Sequence, residues 1–261
     1  MIMKHPYHLV SISPWPLLVS FEILNLALNL ITSLLNSGKD ANYILVHLFL
    51  ILLISFQWFR DIIREAKGGF HTKVVQRGIL ISFCLFIITE IMLFFSFFWT
   101  FFHGSLSPGV EIGAIWPPVG LHFINPWNLP LLGSCLLLSS GFILTLAHHA
   151  FIKGSKDITL FNMFWTILIG GCFVILQITE YVMAEFTISD SFFGNIFFMT
   201  TGLHGIHVII GVLFLLISAI RIFFDQFTTE HNLCLEFSIY YYHFVDIIWL
   251  YVFVVYYWWS S

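Results

Sequence analysis

The chain has 261 residues, 59% of them apolar and only 9% charged, with a mean hydropathy of +0.94 and a formal net charge of -4. An ordinary soluble domain carries about 25% charged residues, so a water-soluble globule is excluded and an integral membrane protein is indicated. The lack of clustered basic residues over most of the length also excludes a nucleic-acid-binding surface.

The opening residues, MIMKHPYHLVSISPWP, hold neither a long apolar signal core nor an Arg-rich presequence. That pattern suits synthesis beside the membrane that receives the chain. At about 20 apolar residues per crossing, the sequence predicts an all-α integral membrane protein. Its seven transmembrane helices are expected at approximately 15–36, 42–63, 78–103, 129–152, 158–183, 192–223 and 236–258. The first carries Glu22, Asn25 and Asn29 on one helical face, a stripe expected to turn toward protein rather than lipid. The second runs into QWFRDIIREAKGGFHTKVVQRG, whose Arg60, Arg64, Lys67, His71, Lys73 and Arg77 suit anionic headgroups at the membrane face.

Span three contains Glu90, within IITEIMLFF. An ionisable group at mid-bilayer costs about 2.5–3.5 kcal/mol on insertion scales, so Glu90 requires a partner inside the bundle. The stretch 104–128 is rich in Gly and Pro and reads as an ordered excursion outside the membrane. In span four, His148 and His149 are adjacent and diverge by about 100°. Glu180, at the end of span five, and Glu185 are expected to reach water. Span six places His204 and His207 on one face, in GLHGIHVIIG, and span seven carries Asp246. Tyr256, Tyr257, Trp258 and Trp259 read as an interfacial aromatic belt. Cys84, Cys135, Cys172 and Cys234 are dispersed without a CxxC pair and read as small packing residues.

Basic residues set the orientation. Nine of the ten Lys and Arg fall on the side of the N-terminus and only Lys39 on the other, which predicts a cytoplasmic or matrix-facing N-terminus. The same geometry gives Glu90 a candidate partner. Glu90 lies 13 residues beyond Arg77, and His207 lies 14 residues before Arg221 at the same face. Both therefore stand roughly 20 Å in, at 1.5 Å per residue. Glu90 is expected to bond to His207, with His204 as second choice, as an interior tie between helices. Gly202, Gly205 and Gly211 would admit the neighbouring helix closely.

No P-loop, nucleophile elbow or H-E-x-x-H motif is present. No two histidines form an evident facing pair at matched depth, as a bis-histidine haem would need. The chain is thus expected to hold no catalytic residue, metal or haem of its own. On residues alone, a subunit of a larger complex and a stand-alone proton-coupled transporter both remain open.

Several longer stretches are more specific. HPYHLVSISPWP, WFRDIIRE, WPPVGLHFINPW, AHHA, EFTISDSFFGNIFFMTTGLHGIHVIIG and YHFVDIIWLYVFVVYYWWSS resemble, in order and almost end to end, subunit III of cytochrome c oxidase in its mitochondrial form. The resemblance implies a core, non-redox subunit of complex IV, the respiratory enzyme that reduces dioxygen to water and pumps protons. Haem and copper would then reside in partner subunits I and II, with accessory subunits and membrane phospholipids as further partners. It implies a single seven-helix domain over 1–261 in the mitochondrial inner membrane. Helices one and two (about 15–63) would form one group and helices three to seven (about 78–258) another, separated by a lipid-filled cleft. By matching motif, Trp58, Arg64, Glu65 and His71 would be lipid-binding, with Arg221 and His231 on the inner side. Glu90 matches the family's buried carboxylate of helix three. Phe59, Asn232, Cys234 and Glu185 depart from the common family residues Trp, His, Gly and Pro, which bears on headgroup contacts and on one turn.

Overall fold

The computed structural model describes residues 5–35, 41–110, 113–118, 120–228 and 232–260. Among them the chain is all-helical: α1 (Trp15–Leu35), α2 (Ala41–Lys67), α3 (Lys73–Leu106), α4 (Leu129–Ile152), α5 (Lys156–Met183), α6 (Phe192–Phe223) and α7 (Leu233–Val252). The last continues as a π-helical turn over Phe253–Trp258. All seven are long and apolar enough to cross a membrane, as the sequence predicts. α2 and α3 run further toward their shared turn than the apolar spans, to Lys67 and from Lys73. Charged residues with long apolar stems let a helix continue past the hydrocarbon while the charge stays wet.

Local chemistry fixes the helix ends. Pro130 sits in the first turn of α4, where its missing N–H leaves no bond unmade. The Ser191 hydroxyl caps α6 by accepting from the Gly194 amide at 3.0 Å. Gly154 turns the chain from α4 into α5 with φ +78°, a conformation that a Cβ would strain.

By internal contacts the chain divides into two compact units, Met1–Ile81 and Ser82–Ser261, with the boundary inside α3. In the first unit α1 lies against α2. Little of either helix is enclosed within the chain, and side-chain ties carry much of the pairing. The Trp15 indole donates to Asp61 at 2.8 Å, and Glu22 meets His47 Nδ1 at 2.8 Å. Glu22 of the stripe therefore turns toward α2, to a residue that the sequence did not single out, while the Asn29 amide donates to the Asn25 carbonyl of its own helix.

In the second unit α4 packs on α5, α5 on α6, α6 on α7, and α7 returns to α4. The core gathers Phe94, Phe101, Phe173, Phe193, Tyr242 and Trp249. Close approach is explicit at Gly170 of α5, where an added Cβ would lie 2.6 Å from the Tyr242 hydroxyl. Hydroxyl and indole groups link α7 to its neighbours. Trp249 Nε1 donates to Ser134 of α4 at 3.0 Å, and Ser140 and Tyr242 hydroxyls meet at 2.9 Å. The 104–128 excursion packs inward through Trp116, Leu121, Phe123 and Ile124.

Two expectations are corrected. Only Trp258 and Trp259 of the terminal aromatic run are exposed; Tyr256 and Tyr257 are buried. Their hydroxyls have interior partners, Thr200 at 2.9 Å for Tyr256 and Glu180 at 2.5 Å for Tyr257, so the rings have no need of an interface. Cys84, Cys135 and Cys172 lie on the outside of the helices, not among packed side chains. A thiol is apolar enough to face lipid without a partner.

Candidate functional site

The carboxylate of span three finds the imidazole of span six. Glu90 Oε2 stands 2.7 Å from His207 Nε2, with side-chain exposures of 18% and 9%. His207 Nδ1 donates to the Leu203 carbonyl of its own helix at 2.8 Å. A carbonyl can only accept, so Nδ1 carries a proton. The contact to Glu90 then requires one further proton on the Nε2–Oε2 axis, held by the ring or by the acid. In both arrangements the pair is neutral as a whole. Phe94 meets the ring edge-on at 5.1 Å between centroids, and Tyr241 stacks at 6.3 Å.

His204, the second-choice partner, does not reach Glu90. Its Nε2 donates to the Val245 carbonyl of α7 at 3.2 Å, and it is fully enclosed between Phe173 and Trp249. Residues at i and i+3 share a helix face only approximately, and here they serve different neighbours.

Glu180, expected near water, is only 2% exposed. Oε1 accepts from the Tyr257 hydroxyl at 2.5 Å and from Gln177 at 3.2 Å. The helix end is covered by the π-helical turn that brings Tyr257 over it, a feature the apolar pattern does not reveal. Asp246 is also buried, with the nearest base, His243 Nδ1, at 3.9 Å, beyond hydrogen-bond range. Its Oδ2 occupies the space beside Gly141, where a Cβ would come within 2.7 Å.

The proposed headgroup residues can be placed within each unit. In the first, Trp58 and His71 are half-buried and Arg64 is exposed, with its guanidinium 3.8 Å from Asp61. Glu65 is engaged by His8 Nε2 at 3.1 Å and by the Ser11 hydroxyl at 3.2 Å. In the second, Arg221 donates to Gln226 at 3.3 Å and lies over the Phe227 ring at 4.2 Å. His231 lies outside the described residues. The expected lack of a metal-ligating group overlooked one cluster: ligand atoms of His8, Glu65 and His71 lie within 4.8 Å of one another. Their distance apart in sequence hid it, because no spacing rule links an N-terminal segment to a turn after the second helix.

The fold and these ties define a polytopic helical membrane protein whose acids, histidines and hydroxyls bind its own helices together. A family model described as cytochrome c oxidase subunit III matches residues 5–261. Proteins named cytochrome c oxidase subunit 3 are similar over nearly the whole length. That of Arabidopsis thaliana is 46% identical, covering 99% of this chain and 98% of the relative. That of Yarrowia lipolytica is 43% identical over 98% and 96%, and that of Podospora anserina 47% over 98% and 96%. The chain belongs to the cytochrome c oxidase subunit III family.

Proposed function

We propose that the chain is the non-redox structural subunit of a mitochondrial cytochrome c oxidase, held in the inner membrane beside subunits I and II and the accessory subunits. The partner subunits carry haem and copper, and this chain stabilises the assembly that reduces dioxygen and pumps protons. Family membership over 5–261 supports the assignment to the complex. The observation that carries the structural role is the use made of the interior polar groups. Glu22, Glu90 and Glu180 each bond to a side chain of another helix segment, whereas a relay would leave a chain of such groups open to water. The two histidines of α6 are similarly committed, His204 to Val245 and His207 to Leu203 and Glu90.

The basic residues near the α2–α3 turn and at the end of α6 suit the matrix face, which puts the N-terminus on that side and the C-terminus toward the intermembrane space. Trp58, Arg64, Glu65 and His71 of the first unit, and Arg221 and His231 of the second, are then phospholipid contacts. Each charge-assisted bond to a phosphate contributes on the order of 1.5–3 kcal/mol.

The test is Glu90→Gln in the assembled oxidase. An amide keeps a hydrogen bond to His207 but cannot give up a proton, so assembly and proton pumping should both persist. Loss of pumping at undiminished assembly and catalytic lifetime would overturn the structural role. Purification of this chain without haem-bearing partners would favour a stand-alone transporter.

A further inference from the structure

His8, Glu65 and His71 come from three places in the first unit: the segment before α1, the last turn of α2, and the turn into α3. His8 Nε2 is 3.1 Å from Glu65 Oε2, and the His8 and His71 rings meet edge-on with centroids 5.8 Å apart. We propose that these three side chains form a binding site for a divalent transition-metal ion, zinc by the chemistry of the donors. Two imidazoles and one carboxylate make the His₂Glu set found in three-ligand zinc sites, which leave the fourth position to water.

The dimensions fit. Zinc takes nitrogen and oxygen ligands at about 2.0–2.2 Å, so two ligands of one tetrahedral ion stand roughly 3.3 Å apart. The His8–Glu65 separation already meets that value, and all three ligand atoms lie within 4.8 Å. Closure would draw the outermost ligand atoms together by about 1.5 Å.

The surroundings hold the ligands in place. The Ser11 hydroxyl donates to Glu65 Oε1 at 3.2 Å, fixing the carboxylate so that Oε2 faces the histidines, as second-shell donors do in metal sites. The Thr72 hydroxyl donates to the Pro6 carbonyl at 2.5 Å, pinning the His8 segment beside the residue that follows His71. Gln76 Nε2 donates to the His71 carbonyl at 2.9 Å. His8 is only 13% exposed and its Nδ1 is buried without a hydrogen-bond partner, so the protein itself satisfies one ring nitrogen of the two. Metal binding at Nε2 would displace the hydrogen bond to Glu65 and leave the single proton of the neutral ring on Nδ1.

This inference goes beyond the lipid reading of the same turn. In the lipid reading Arg64 takes the phosphate, which the Glu65 carboxylate would repel, whereas a metal cation requires that carboxylate and gains nothing from Arg64 or Arg221. The experiment uses the intact oxidase, stripped with a chelator and then given Zn²⁺ alone. Diffraction at the zinc absorption edge should show an anomalous peak about 2.0–2.2 Å from the ligand atoms of His8, Glu65 and His71. In equilibrium dialysis, His8→Ala and Glu65→Gln should each weaken the binding of one zinc by at least about tenfold, while Arg64→Ala with Arg221→Ala should leave it unchanged. A map at saturating zinc with no peak among these atoms would overturn the site, whatever the variants do. So would zinc binding that survives both ligand variants, or that falls only in the arginine variant, the last pointing to ions held by lipid headgroups.

Discussion

The helices of this chain fall into two kinds by how much of their apolar surface the chain itself covers. In α1, α2 and α3 only 6% of the residues in the most apolar stretch are buried, against 56% in α7. The polar contacts differ in the same way. In the first unit most bonds between segments involve an acid, Glu22 with His47, Glu65 with His8 and Ser11, and Asp61 with Trp15, beside the Thr72 bond to the Pro6 carbonyl. In the second there are ionisable pairs too, Glu90 with His207, His148 with Glu236 and Lys156 with Asp225, and to them are added hydroxyl and indole bonds around α7. Lipid tails are as apolar as leucine, so covering a helix in a membrane gains packing and hydrogen bonds, with no hydrophobic transfer. Where packing is thin, as between α1 and α2, a few strong polar bonds must hold the pair.

That contrast can be broken at its strongest point by Trp249→Ala. The indole is enclosed on all sides, and its removal leaves a cavity and takes one donor from Ser134, which keeps its bond to the Pro130 carbonyl. A loss of about 3 kcal/mol or more is expected, read as a lowered unfolding temperature of the detergent-solubilised oxidase and reduced incorporation of the chain. Tyr257→Phe should cost less, about 1–2 kcal/mol, because Glu180 keeps its bond from Gln177; an infrared carboxyl band for Glu180 that does not move would contradict the contact. Phe49→Ala, on the outer face of α2 at 63% exposure, should change stability by under about 0.5 kcal/mol. A drop comparable to that of Trp249→Ala would mean that α2 is covered in the complex.

The smallest effect is expected at the turn before α6. Asp190 accepts from the Thr187 amide at 2.7 Å, and this bond, with a second from the Thr187 side chain, holds its pKa below the usual 3.8. A carboxylate with a lowered folded-state pKa stabilises the fold fully above its ordinary value. The contribution is lost as the pH falls through the lowered one. Asp190→Asn should therefore lower stability slightly at neutral pH, flatten the acid limb of a stability profile below about pH 4, and leave the most acidic end nearly unchanged. An unaltered acid limb would show that the turn is not held by this charge.

Some of this was legible in the sequence and some was not, for definite reasons. The seven helices follow from the length of apolar runs, which the bilayer thickness fixes. The Glu90–His207 contact could be anticipated because both residues lie at similar distances from basic residues marking one membrane face, so depth alone matched them. Glu22 and His47 defeat that rule: Glu22 lies 13 residues before Leu35, and His47 only six after Ala41. Matched counting from those helix ends would have set them about 10 Å apart in height. Glu180 was misplaced because its cover comes from a π-helical turn in another segment, and hydropathy carries no sign of such a turn. The His8–Glu65–His71 cluster depends on how an N-terminal segment folds over a turn, which is tertiary information with no periodicity.

The bond from His207 Nδ1 to the Leu203 carbonyl has an electrical consequence. Because it fixes one proton on the ring, the Glu90–His207 pair carries a net charge of zero whether the second proton sits on nitrogen or on oxygen. A membrane potential acts on net charge moved through it, at about 2.3 kcal/mol per elementary charge per 100 mV, and so exerts no net force on this pair. A cell or organelle can energise or discharge the membrane around it while this tie between α3 and α6 keeps the same strength, which makes it a voltage-insensitive rivet in a membrane whose voltage changes with respiratory state.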